Sequence, residues 1–175
     1  MKLSKLFLFI ALIAATVSCK SDDDSNMQIN AELAGTWSAT GIDFTGTTAT
    51  EFMGVTLNVA AVGTGTNINY SITLSEDPNI VLATGMFDLE LTLTAPGVPP
   101  QTQTLTDQMP VGGGTWEQNG NTVSFTENGE TTVVNIDVLT ATDLQLSFSE
   151  TETTTQPNGA IVTESTNLVM TFTRQ

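Results

Sequence analysis

The chemistry open to this chain is set first by what it lacks. Its 175 residues include no His, one Cys and one Tyr, and nineteen acids outnumber four basic residues for a formal charge of −15. Without His there is no imidazole base or imidazole metal ligand, and one Cys cannot form an internal disulfide. A Ser nucleophile would need a base, and Lys20 offers none within the folded part of the chain. Carboxylates could work as an acid–base pair, as in glycoside hydrolysis. The nearest pairs are Glu76 with Asp77, Glu127 with Glu130, and Glu150 with Glu152. Glu150 and Glu152 fall on one face of a strand, but among Thr and Ser, so they read as solvated acids. No Asp-x-Asp-x-Asp-Gly calcium loop occurs. Neither a catalytic residue, a metal site nor a cofactor is expected, and the chain does not read as an enzyme. Four basic residues also exclude a nucleic-acid surface, since phosphate binding runs on Lys and Arg.

The lone thiol has a clear use. Lys2 and Lys5 precede an apolar run, Leu6–Val17, which has the length of a signal-peptide core. It falls short of the roughly twenty residues that span a bilayer. Ser18 then precedes Cys19, and Thr16-Val17-Ser18-Cys19 resembles a bacterial lipobox, which implies cleavage before Cys19 and a lipid (palmitate) on it. The next segment, Lys20-Ser21-Asp22-Asp23-Asp24-Ser25-Asn26, has no apolar anchor and reads as a flexible acidic tether. Its three Asp resemble the export signal of surface lipoproteins in Bacteroidetes-type bacteria. The expected division is a signal peptide over 1–18, a tether over 19–30 and one folded domain over 31–175. The expected location is the outer membrane, lipid-anchored and surface-exposed, with a periplasm-facing anchor as the alternative. Cleavage removes two basic residues and no acid, taking the formal charge from −15 to −17. Such a chain is repelled by anionic lipid, so membrane contact falls to the acyl chains.

The folded part reads as all-β. Thirty-two residues are Thr, a β-branched type that favours strands. Apolar residues alternate with polar ones at Ile68–Leu74, Phe87–Leu93, Leu144–Phe148 and Leu168–Phe172, the period of strands with one dry and one wet face. Asn119-Gly120, Asn128-Gly129, Ala141-Thr142-Asp143 and Gln156-Pro157-Asn158-Gly159 supply turns. Residues 115–173 are thus expected to form an antiparallel meander of about five strands. Upstream, strands are placed near Gly35–Phe44, Glu51–Ala60, Thr66–Ser75 and Val81–Thr94, with a helical turn over Met27–Leu33. Ala95–Gly114, rich in Pro, Gln and Gly, reads as a long mobile loop with a short strand around Thr102–Thr106. The expected fold is an antiparallel up-and-down β-barrel of eight to ten strands, with a two-sheet β-sandwich as runner-up.

A Gly-x-Trp at Gly35-Thr36-Trp37, followed by a meander, resembles the lipocalin superfamily, and more closely the short lipocalin-like domains of Bacteroidetes lipoproteins. A second Gly-x-Trp, Gly114-Thr115-Trp116, and its following hairpin fit that resemblance. It implies that Trp37 closes one barrel end beneath Arg174, while Trp116 reads as core. A barrel of this size holds one small ligand or fills itself with side chains. The expected lining is apolar, with Tyr70, Phe87, Leu89, Phe125, Leu146 and Phe148 as candidate ligand contacts and Tyr70 as their polar handle. Two functions follow. One is a monomeric, lipid-anchored module for a small apolar or amphipathic ligand. The other is an interaction lipoprotein with a filled core that meets protein or glycan through its loops.

Overall fold

The computed structural model describes residues 31–175. Cys19, the signal segment and the tether lie outside them, as does most of the expected helical turn. Eleven antiparallel strands make up the described chain. They are β1 (Gly35–Phe52), β2 (Val55–Thr66), β3 (Ser71–Ser75), β4 (Ile80–Thr84), β5 (Phe87–Ala95), β6 (Val98–Gln108), β7 (Gly113–Asn119), β8 (Thr122–Glu127), β9 (Glu130–Leu139), β10 (Asp143–Thr155) and β11 (Ile161–Arg174).

Eight of them close a ring. The order β1–β3–β4–β7–β8–β9–β10–β11 returns to β1 through a ladder from Trp37↔Arg174 to Glu51↔Ile161. This is the expected antiparallel barrel, and its closure separates it from a sandwich. The meander of five strands over 115–173 is present as β7–β11, each hydrogen-bonded to the next. Asn128 and Gly129 take φ of 53° and 87°, the left-handed pair that an Asn-Gly hairpin turn requires.

Three strands stand outside the ring, and here the sequence reading is corrected. The expected strands Gly35–Phe44 and Glu51–Ala60 are instead one eighteen-residue β1, a two-residue turn at Met53-Gly54, and β2. Gly85-Met86 splits the expected Val81–Thr94 strand into β4 and β5. The expected loop Ala95–Gly114 is largely strand: β6 pairs with β5 over Phe87↔Gln108 to Ala95↔Val98. It forms the outer edge of its sheet, and Pro99 and Pro100 fall where its ladder with β5 shifts register, the kind of place in a sheet that tolerates proline.

The long strand β1 sorts these parts. Its first residues, Gly35–Ser38, pair with β3, and Asp43–Phe52 pair with β2 along the same edge. Below this fork the ring is closed. Above it, the upper halves of β10, β11 and β1 continue with β2, β5 and β6 as one open sheet.

Alternation then fills the ring. Leu33, Trp37, Tyr70, Ile72, Leu74, Val81, Phe87, Trp116, Val123, Phe125, Ile136, Leu144, Leu146 and Phe172 belong to one continuous buried cluster. The lower end is plugged by Trp37, whose indole N–H donates to the Leu33 carbonyl at 2.8 Å. Arg174 covers it from outside, 4.1 Å from the ring centroid. The guanidinium also donates to the carbonyls of Ala34 (2.8 Å), Glu32 and Ala141 (2.9 Å), tying the segment before β1 and the β9–β10 turn to the plug. Trp116 is core as expected, its indole N–H donating to Ser75 O at 2.9 Å.

Candidate functional site

The six candidate ligand contacts do not share one accessible place. Tyr70, Phe87, Leu89 and Leu146 are buried in the core. Tyr70 packs edge-on against Phe87 at 6.0 Å and tilted against Phe172 at 6.4 Å. Its hydroxyl is engaged, donating to Val111 O at 3.0 Å, and burial pushes it well above the usual phenol range. Phe125 is buried with these four, and Phe148 is half-buried. Both reach an open cleft of about 620 Å³ at the upper mouth of the ring.

The cleft exists because two neighbouring strands part company. β9 and β10 pair only from Leu139↔Leu144 to Asn135↔Ser147. Above that level β9 stays with β8 up to Glu127↔Glu130, whereas β10 follows β11 as far as Thr155↔Ile161. The hairpin and the open sheet diverge, and the cleft lies between them. Its walls include four consecutive residues of β9, Glu130–Val133, and three of β10, Phe148–Glu150. Consecutive residues point to opposite faces of a strand. A lining that takes both faces therefore marks a gap between two strand edges, not a groove on a sheet surface.

Side chains give the cleft a dry floor and an acidic rim. Val111, Phe125 and Phe148 supply apolar surface; Glu127, Glu130 and Glu150 supply charge. Glu127 stands directly opposite Glu130 in the β8–β9 ladder. Higher on the open sheet, Glu152 stands directly opposite Glu164. Directly opposed like charges destabilise a sheet, and here two such pairs occur. Desolvation raises the Glu150 carboxyl above its ordinary range, with the nearby Glu152 charge as a second cause. Arg174, the one basic residue among those described, lies at the plugged end. Among the described residues no group of three or more His, Cys, Asp or Glu could hold a metal ion.

Alternation brings Glu127, Glu130 and Glu150 within the sequence's reach, since each continues an inward-facing row: Val123–Phe125–Glu127, Ile136–Val134–Thr132–Glu130 and Leu144–Leu146–Phe148–Glu150. What that pattern does not carry is the point where β9 and β10 separate. A second cleft, of about 460 Å³, lies over the upper sheet beside Thr47, Val59, Ala60 and Pro96 and has no acidic lining. No known family model matches the chain, and no curated protein or solved structure shows significant similarity to it.

Proposed function

We propose that this chain is an envelope lipoprotein, held to the membrane by lipid on Cys19, that binds its ligand in the mouth cleft and not inside the barrel. The observation that carries this reading is the placement of the aromatic side chains. Tyr70, Phe87 and Phe172 spend their surface on one another in the core, while Phe148 is only half-buried and lines an open space, with the buried Phe125 beside it. A site with an apolar floor and a few polar groups at its rim suits an amphipathic ligand. The role is binding; the glutamates act as the charged rim.

The anchor fits this use. The plugged end carries the start of the folded chain, so a tether from Cys19 joins the domain there and leaves the cleft at the opposite end, facing away from the membrane. The three Asp after the anchor support display on the outer surface. Titration with the neutral apolar dye Nile red tests the site. Dye fluorescence should rise on binding to the intact chain in neutral detergent below its micelle concentration, and Phe148→Ser should weaken that binding about ten-fold. Unchanged binding in Phe148→Ser would move the site elsewhere.

A further inference from the structure

The cleft is bounded by two strand edges that lack a partner. Above Asn135 the outer edge of β9, and above Ser147 the outer edge of β10, have no ladder neighbour among the described residues. Other free edges differ: β6 is blunted by Pro99 and Pro100, and β2 over Val55–Val59 borders the second cleft, which has no acidic lining. The two edges at the cleft contain no Pro: Glu130–Val134 in β9 and Phe148–Thr155 in β10. On each edge alternate residues direct their backbone N–H and C=O groups to the gap and can accept another strand.

Size and charge select the occupant. A residue in an inserted strand fills roughly 160 Å³, from a rise of ~3.3 Å, a strand spacing of ~4.8 Å and a sheet thickness of ~10 Å. A cleft of about 620 Å³ therefore takes about four residues, close to the unpaired length of β9. Inward side chains of such a segment would meet Phe125, Phe148 and Val111 below, and Glu127, Glu130 and Glu150 around the rim. Two opposed glutamate pairs leave this face short of positive charge, and no described basic residue lies near enough to supply it. A second copy of the chain would bring the same acids to the gap, so pairing between copies is opposed by charge.

From these observations we infer that the cleft captures an extended, basic polypeptide segment, which adds as a strand between β9 and β10. This is strand addition, in which main-chain hydrogen bonds supply affinity and alternate side chains supply specificity. The inference rests on the cleft being the binding site and names the class of ligand.

The test uses the intact chain in neutral detergent and three labelled eight-residue peptides. One alternates Lys with Val; one alternates Glu with Val; the third repeats the Lys-Val sequence with every second amide N-methylated. Binding is read by fluorescence anisotropy and by hydrogen exchange of residues 130–134 and 148–155. The Lys-Val peptide should bind and slow exchange in both segments, and Glu127→Gln/Glu130→Gln/Glu150→Gln should weaken it at least ten-fold. The Glu-Val peptide should not bind, and N-methylation should cost at least ten-fold. Equal binding of the N-methylated peptide would reduce the effect to surface charge and overturn strand addition. Slowed exchange in both segments at high protein concentration, without peptide, would make a second copy the occupant and also overturn it. Failure of every peptide while Nile red still binds at Phe148 would refute this inference and leave the cleft as the binding site. Loss of both would refute the site itself.

Discussion

The guanidinium of Arg174 lies 4.1 Å from the ring centroid of Trp37, and the same group holds the carbonyls of Ala34 and Glu32. One side chain thus joins the last strand, the first strand and the segment that leads into it. Trp37→Ala should cost about 3–5 kcal/mol, a large share of a small domain's stability. Arg174→Ala should cost less, because a cation over an indole contributes about 0.5–2 kcal/mol. Chemical denaturation of both variants checks the order; a smaller loss for Trp37→Ala than for Arg174→Ala would contradict it.

Gly114 is fixed by its backbone. Its φ is 122°, and a Cβ there would stand 2.1 Å from the carbonyl oxygen of Thr126. That neighbour is backbone in the β7–β8 ladder and cannot swing aside. Gly114→Ala should therefore lower stability by more than the ~1 kcal/mol at stake where a glycine's conformation alone matters. Gly129→Ala has open space around it and a φ of 87°, so it should carry the backbone cost alone. Thermal melts of the two variants should rank Gly114→Ala as the more damaging.

Glu150 gives a pH signature. Its carboxyl is raised in the folded state, so the folded chain holds that proton more tightly than the unfolded chain does. The sign follows: stability falls as pH rises through the window between the unfolded and folded values, and the ionised form carries the full penalty at neutral pH. Glu150→Gln should raise the denaturation midpoint at pH 7. The gain should vanish below about pH 3, where the carboxyl is protonated in both states. A midpoint at pH 7 equal to or below that of the parent chain would contradict the assignment.

Cys19→Ala should release the protein from the membrane fraction, since the strongly acidic chain has no other attraction for anionic lipid. Fractionation with a salt wash reads this directly, and retention of the variant would refute the anchor. Protease added to intact cells should then digest the anchored domain if it is displayed outside.

The strands of the second half were legible because their turns carry the residues that turns need. Asn128-Gly129 supplies the left-handed pair, and the alternation of Leu144, Leu146 and Phe148 sets the inward face of β10. The first half was less so. Met53 takes a φ of 52°, a conformation that its side chain does not advertise, so the β1–β2 turn was invisible. Thr45–Thr50 reads as a connection because it is polar, yet it is strand paired on both edges. In β6, Pro99 and Pro100 argue against a strand, although an edge tolerates them. For the site, the pattern marks which side chains face inward. It is silent on how far each ladder extends, because pairing length depends on how the neighbouring strands curve. Phe125 lies buried in the core as its row implies, whereas Phe148, expected inside the barrel as well, stands half-buried at the gap where its row ends.

The parting of β9 from β10 is the feature on which the binding account stands, and amide hydrogen exchange of the unliganded chain measures it directly. Residues 144–147 of β10 are paired on both edges and should exchange slowly throughout. From Phe148 to Thr155 exchange should alternate: amides directed at β11 slow, amides directed at the gap faster by at least about a hundred-fold. Uniformly slow exchange along the whole of β10 would mean that β9 and β10 are zipped together to the top, with no gap to receive a strand.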